Sequence, residues 1–236
     1  MYSNLIKNTF ALALLAASVG SAMAADSVDV KVIGQIIPAA CTPTLSGGGV
    51  IDYGNIKAST LSTDAYTTLP EMQIDFSLVC DAPAKIGIQV LNGRPGTMAG
   101  VTESAYNSAN MPVSVFGSGG NIGGAGLGLD GATKIGGYAV RIAGNTVTAD
   151  GNAVDTIAQE YDFATNGYIK KGLGVLYTQD YVRTTTWATP GTLTPVAFKV
   201  LAGKLGVQAY INKGSALDLT HVIHLDGLTT LEVVYL

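Results

Sequence analysis

Apolar residues in this chain recur at every second position, in short runs broken by turn residues. Gln73 to Cys80 reads QIDFSLVC, which puts Ile74, Phe76, Leu78 and Cys80 on one side of an extended segment. Ile86, Ile88 and Val90 repeat the pattern before Asn92-Gly93, and Val28, Val30 and Val32 alternate ahead of Gly34-Gln-Ile-Ile37. A period of two offers one face to a core and one to water, and it does not suit a helix. Further strands are expected at Met111–Phe116, Gly137–Ile142, Pro195–Leu201 and Gly206–Ile211. Near the end, Leu217, Leu219, Ile223 and Leu225 read as one face of a strand. Asp226-Gly227 is a two-residue turn signal, and Leu231, Val233 and Tyr235 alternate beyond it, which predicts a hairpin. Thirty glycines and only 13% charged side chains complete the picture of an all-β, antiparallel sandwich or barrel.

Residues 117–137 hold ten of those glycines and read as a long loop, or a pair of tight turns, between strands. The string Gly126-Leu-Gly128-Leu-Asp-Gly131 matches G-x-G-x-x-G. A dinucleotide site needs that string between a buried strand and a helix, and no helix is expected here.

The N-terminus reads as an export signal. Lys7 precedes an apolar run from Phe10 to Val19, and Ala22-Met-Ala24 is a small-x-small cleavage pattern. The run is about ten residues, against the roughly twenty that span a bilayer. Cleavage after Ala24 would leave a single domain, residues 25–236, of net charge −5. Mild acidity argues against nucleic acid. The only cysteines, Cys41 and Cys80, are read as a disulfide in an oxidising compartment. Two free thiols or metal ligands are the rival assignments.

Little in the chain looks like catalysis. His221 and His224 are the only histidines, and on a strand they would point to opposite faces and could not share a metal. No G-x-S-x-G elbow occurs. Asp150 and Asp155 fall in polar loop sequence. Trp187, the single tryptophan, reads as a half-buried anchor in preference to a sugar-stacking platform. No enzyme activity, cofactor or metal is expected.

Gly34-Gln-Ile-Ile-Pro-Ala-Ala-Cys41, Phe76-Ser-Leu-Val-Cys80 and the penultimate Tyr235 resemble the landmarks of chaperone–usher pilus subunits. A nearer similarity, to the fimbrial-like periplasmic family that includes GltF, rests on Ala40-Cys-Thr-Pro43, Gly47–Gly54, Leu193-Thr-Pro-Val196, Leu225-Asp-Gly227 and Tyr235-Leu236. The pilin resemblance implies an immunoglobulin-like sandwich that lacks its final strand and leaves an apolar groove. A periplasmic chaperone, and then the extension of another fimbrial subunit, would fill that groove by strand addition, with an outer-membrane usher as the export partner. It implies that Val28, Val30, Val32 and Gly34 are donor positions, and that Leu231, Val233, Tyr235 and Leu236 are recognised by the chaperone. The extension before Gly34 is shorter than a pilin's and the body longer, which favours a minor or terminal subunit over a shaft subunit.

The expected function is therefore a structural fimbrial subunit, exported through the periplasm to the cell surface and serving adhesion. The alternative is a soluble periplasmic protein of the GltF-like kind with a binding or nutrient-linked regulatory role. The cysteine assignment is checked directly: thiol labelling of the unfolded, unreduced mature protein should find no reactive sulfur, and two labelled cysteines would refute the bridge.

Overall fold

The computed structural model describes residues 28–37, 39–159, 164 and 167–236, so the expected signal peptide at 1–24 lies outside the described residues. Its contacts divide the chain into two units, Met1–Ile37 and Pro38–Leu236. In the first unit the described residues, 28–37, are exposed and form no strand, so the strand expected at Val28–Ile37 is not formed. Val28, Val30 and Val32 are 89%, 86% and 91% exposed, far from the burial a core strand requires.

The second unit is the expected antiparallel β-sandwich. One sheet runs β1 (Cys41–Leu45), β3 (Met72–Ala84), β15 (Phe198–Ile211), β9 (Gly136–Ile142), β6 (Gly123–Gly126), β5 (Ala109–Asn110). Short strands β2 (Thr67–Thr68) and β10 (Thr148–Ala149) also pair with β15, and β11 (Asn152–Ala153) pairs with β10. The facing sheet runs β13 (Tyr168–Lys170), β12 (Asp155–Gln159), β14 (Thr185–Ala188), β4 (Ile86–Asn92), β16 (Thr229–Tyr235). A hairpin of β7 (Leu129–Asp130) and β8 (Thr133–Lys134) stands apart. No helix among the described residues is long and apolar enough to cross a membrane.

Alternation places the core. Phe76, Leu78 and Cys80 of β3, Ile86 and Ile88 of β4, and Leu201 and Leu205 of β15 are all buried in one cluster between the sheets. Cys41 and Cys80 are paired residues of β1 and β3, and they form the expected disulfide. Asp81 N–H donates to Ala40 O, so hydrogen-bonded pairs fall on even residues of β1 and Cys41·Cys80 is a non-hydrogen-bonded pair. Such pairs bring the Cα atoms closest, here 4.0 Å apart. The bridge closes a loop of sequence separation 39; constraining an unfolded loop of that size stabilises by roughly 4 kcal/mol in the chain-entropy model.

Several expected elements differ. The strands expected at Pro195–Leu201 and Gly206–Ile211 are one strand, β15, whose register shifts between Phe198 and Val200. At that irregularity the Asp150 carboxylate accepts the Lys199 and Val200 N–H groups. Met111–Phe116 is not a strand; it lies over the outer face of the first sheet. There Val115 and Phe116 pack with Ala139 and Val175, and Met98 and Ala109 pack with Tyr210. Tyr138 and Ala209, one residue away, belong to the inner core. Strands β9 and β15 are thus covered on both faces.

The glycine-rich stretch is neither a loop nor a simple pair of turns. Residues 123–126 of it are β6, buried at all four positions. A Cβ on Gly124 would meet the Tyr138 carbonyl oxygen at 2.7 Å, and one on Gly126 would run into Thr97 and the Met98 backbone. Glycine is used here for close packing. Gly128 and Gly131, at φ +87° and +59°, flank and turn the β7–β8 hairpin, so the G-x-G-x-x-G string leads into a hairpin and not a helix. Gly126→Ala should therefore destabilise the fold by roughly 1–3 kcal/mol through overpacking. Gly119→Ala, whose Cβ would meet only Ser114 Oγ at 3.7 Å, should be close to neutral. Urea midpoints of the two variants check this.

Candidate strand-acceptor groove

Strand β16 is an edge. Among the described residues it pairs with β4 alone. Gly93 N–H donates to Leu228 O at one end of this ladder and Leu236 N–H to Lys85 O at the other. Hydrogen-bonded positions alternate in an antiparallel pair. Thr230, Glu232 and Val234 therefore turn their backbone groups to β4, whereas Leu231 and Val233 turn theirs to the open side. The side chains of Leu231 and Val233 are half-buried and pack on the core. The hairpin expected from Leu217 to Tyr235 is not formed. Residues 217–228 make no strand, because Asp226-Gly227 leads into β16 from a segment packed against the core and not from an adjacent strand.

Beside the open edge lies a cavity of about 540 Å³. Val50, Ile51 and Tyr53 form one wall, Leu228 and Leu231 the other, and Val140, Leu205 and Val207 the floor. A second cavity of about 380 Å³ continues past Gly54 and Leu225, which line both. Ile56 and Leu61 bound it on one side and Leu219 and Ile223 on the other. Residues 50–57 join no sheet and turn at Gly54, whose φ is +62°, so no ladder of hydrogen bonds links this wall to β16.

Tyrosines set the polar points of this apolar channel. Tyr53 Oη donates to Val207 O at 3.1 Å, and burial pushes its phenol up to about 12. Tyr138 Oη and Tyr177 Oη lie 2.7 and 2.9 Å from Thr229 Oγ1, at the start of β16. Burial raises both of those phenols as well. Tyr235 is half-exposed, and its hydroxyl accepts the Cys41 N–H at 3.0 Å, tying the last strand to the first beside the disulfide. Pro43, on the same open edge of β1, has no N–H to offer. The β16 edge is the better template for an added strand.

The remaining candidates behave differently from one another. Leu236 is about half exposed. Trp187 is fully buried in β14, edge-on to Phe198 at 6.0 Å, so it is a core anchor and cannot stack a sugar. Asp150 and Asp155 serve separate turns, the latter bonded to Gly191 N and Lys170 Nζ. His221 and His224 are not on a strand, and both line the second cavity, so the opposite-face expectation does not hold. Among the described residues no cluster of three or more His, Cys, Asp or Glu could hold a metal. His221 is engaged at both ring nitrogens, by Asp130 at 3.0 Å and Asp218 at 3.5 Å.

The hydrogen bond and charge of Asp130, and then Asp218, raise the His221 pKa above its ordinary value. A group with a raised folded-state pKa stabilises fully below its unfolded pKa and stops doing so as pH climbs through the folded one. The contact joins the wall segment 217–228 to the β7–β8 hairpin. The stability advantage of the native protein over His221→Gln should therefore shrink between pH 6 and pH 8, read as the difference in urea midpoints; a constant or growing difference would contradict it.

Comparison with known proteins places the chain in a family. A family model described as protein of unknown function (DUF1120) matches residues 30–139. Protein GltF of Escherichia coli strain K12 is 28% identical over 251 aligned positions, covering 95% of this chain and 95% of GltF. Uncharacterized protein YhcF of the same strain is 32% identical over 229 positions, covering 92% of this chain and 93% of YhcF. No solved structure matches. With nearly a third of its residues shared along almost the whole of both chains, this chain belongs to the family of YhcF and carries the DUF1120 segment at residues 30–139.

Proposed function

We propose that this protein is a strand-accepting structural subunit of fimbrial type, minor or terminal in its assembly, and not an enzyme. The observation that carries the reading is the apolar channel beside β16, whose outward backbone groups at Leu231 and Val233 have no strand partner among the described residues. A strand laid there would add main-chain hydrogen bonds to β16 and drop alternate side chains onto Val140, Leu205 and Val207. The first donor is a periplasmic chaperone, delivered with an outer-membrane usher, and the second is the N-terminal extension of a neighbouring subunit. In this chain's own extension Val28, Val30, Val32 and Gly34 are the donor positions, and the valines are exposed. The Cys41–Cys80 bridge fits an oxidising periplasm and cell surface, where adhesion would be the role.

The reading is tested by producing the mature chain with and without a pilus-type chaperone encoded beside an usher. The chain should aggregate alone and co-purify with the chaperone. Leu231→Glu, which puts a charge at the channel wall, should abolish that complex. A stable monomer that ignores the chaperone would overturn the proposal in favour of a self-contained periplasmic binding or regulatory protein.

A further inference from the structure

Resting on the strand-acceptor reading, the channel also indicates what its occupant carries. Its floor and walls are mostly apolar; Asp52 and Tyr53 supply polar groups on one wall, the Tyr53 hydroxyl already donating to Val207 O, and Tyr138 and Thr229 line the other side together. Thr229 Oγ1 joins Tyr138 Oη and Tyr177 Oη, so three hydroxyls meet at one point on β16. Each hydroxyl has one proton and two lone pairs. Even with all three protons spent inside the cluster, three of its six lone pairs remain unused. Tyr138 is only 5% exposed, so water reaches this point poorly. An apolar side chain laid over the cluster would seal those acceptors without a partner, which a buried polar group resists. A hydroxyl or amide there would donate to them.

We infer that the occupying strand alternates apolar residues with one inward Ser, Thr, Asn or Gln placed over the Tyr138–Thr229 hydroxyls, and that it comes from a different polypeptide. The second half follows from this chain's own extension. Its apolar register, Val28, Val30, Val32, Gly34 and Ile36, contains no hydrogen-bonding side chain. A second copy would therefore leave the cluster unanswered. A site built to hydrogen-bond its ligand discriminates against one that lacks the group, so the channel selects for a heterologous strand.

The probes are a fluorescein-labelled peptide of residues 28–37 and four variants, Val28→Thr, Val30→Thr, Val32→Thr and Ile36→Thr. Binding to the mature chain is read by fluorescence anisotropy. The valine replacements keep shape and exchange a methyl for a hydroxyl. One threonine variant should bind about tenfold more tightly than the parent peptide, the scale of one well-made hydrogen bond in a dry site. That gain should vanish on the protein variant Thr229→Val, and independently on Tyr138→Phe, each first shown by thermal melting to be folded. Equal binding by all five peptides, or a gain that survives both protein variants, would overturn the inference and leave the strand-acceptor reading standing. Failure of every peptide to bind would also overturn the inference, since a threonine over the cluster would then confer nothing, while the strand-acceptor reading is decided separately by co-purification with the chaperone.

Discussion

The body of this protein depends on the pairing of β15 with β3. Across Val200–Val207 and Met72–Val79 the two strands run in unbroken antiparallel register, and β15 continues along β9 on its other side. The floor of the channel is positioned from this three-strand unit, and the β16 wall from β4 in the facing sheet. Leu205 and Val207 supply the floor directly, β1 is held to β3 by the disulfide, and the β9 side chains Tyr138 and Val140 face inward beside them. Ion pairs contribute at the margin. Arg141 and Glu71, largely buried and bidentate, tie β9 to the start of β3 on the outer face, and Arg141 also lies over the Phe116 ring at 4.5 Å.

The outer cover explains the glycines of β6 and of the start of β9. Two sheets facing each other need only one buried face apiece, but β9 and β15 are buried on both. Met98, Val115, Phe116 and Ile122 lie on the second face, with Gln208 accepting the Phe116 N–H and donating to Leu69 O. For backbone to lie this close to backbone, side chains must be absent. Gly136 and Gly137 sit where a Cβ would strike Tyr210, as Gly126 sits against Thr97. The cover fills the outer face of the first sheet, whereas β16 and residues 50–57 have no strand between them among the described residues.

That open side carries a physical liability. An edge strand with unpaired backbone groups above apolar floor is a template for unwanted pairing. The molecule limits it locally. Tyr235 consumes the Cys41 N–H, Pro43 removes a donor from the facing edge, and the bidentate Arg94–Asp226 pair fastens the wall that leads into β16. Asp226 is held below the usual carboxylate range by that guanidinium. Since both partners are substantially exposed, the pair orients the segment more than it stabilises it.

The sequence by itself determined the all-β class, the main strands and the disulfide. Period-two runs such as QIDFSLVC carry their own face assignment, and two cysteines allow one pairing. It also placed Leu231 and Val233 inward on the last strand. The sequence could not show that Leu217–Leu225 would decline to pair. Alternation reports which side of a segment is apolar, not whether a neighbour is there to receive its hydrogen bonds. For the same reason Val28–Val32 reads like a strand yet forms none, and His221 and His224, assigned to opposite faces, line one cavity. Gly123, Gly124 and Gly126 read as a loop or tight turns, because a missing side chain reads identically whether it permits motion or close approach. Whether the edge of β16 is open, and whether three hydroxyls from β9, β16 and Tyr177 meet beside it, depends on residues up to ninety-one positions apart in the chain, a distance only tertiary packing brings to zero.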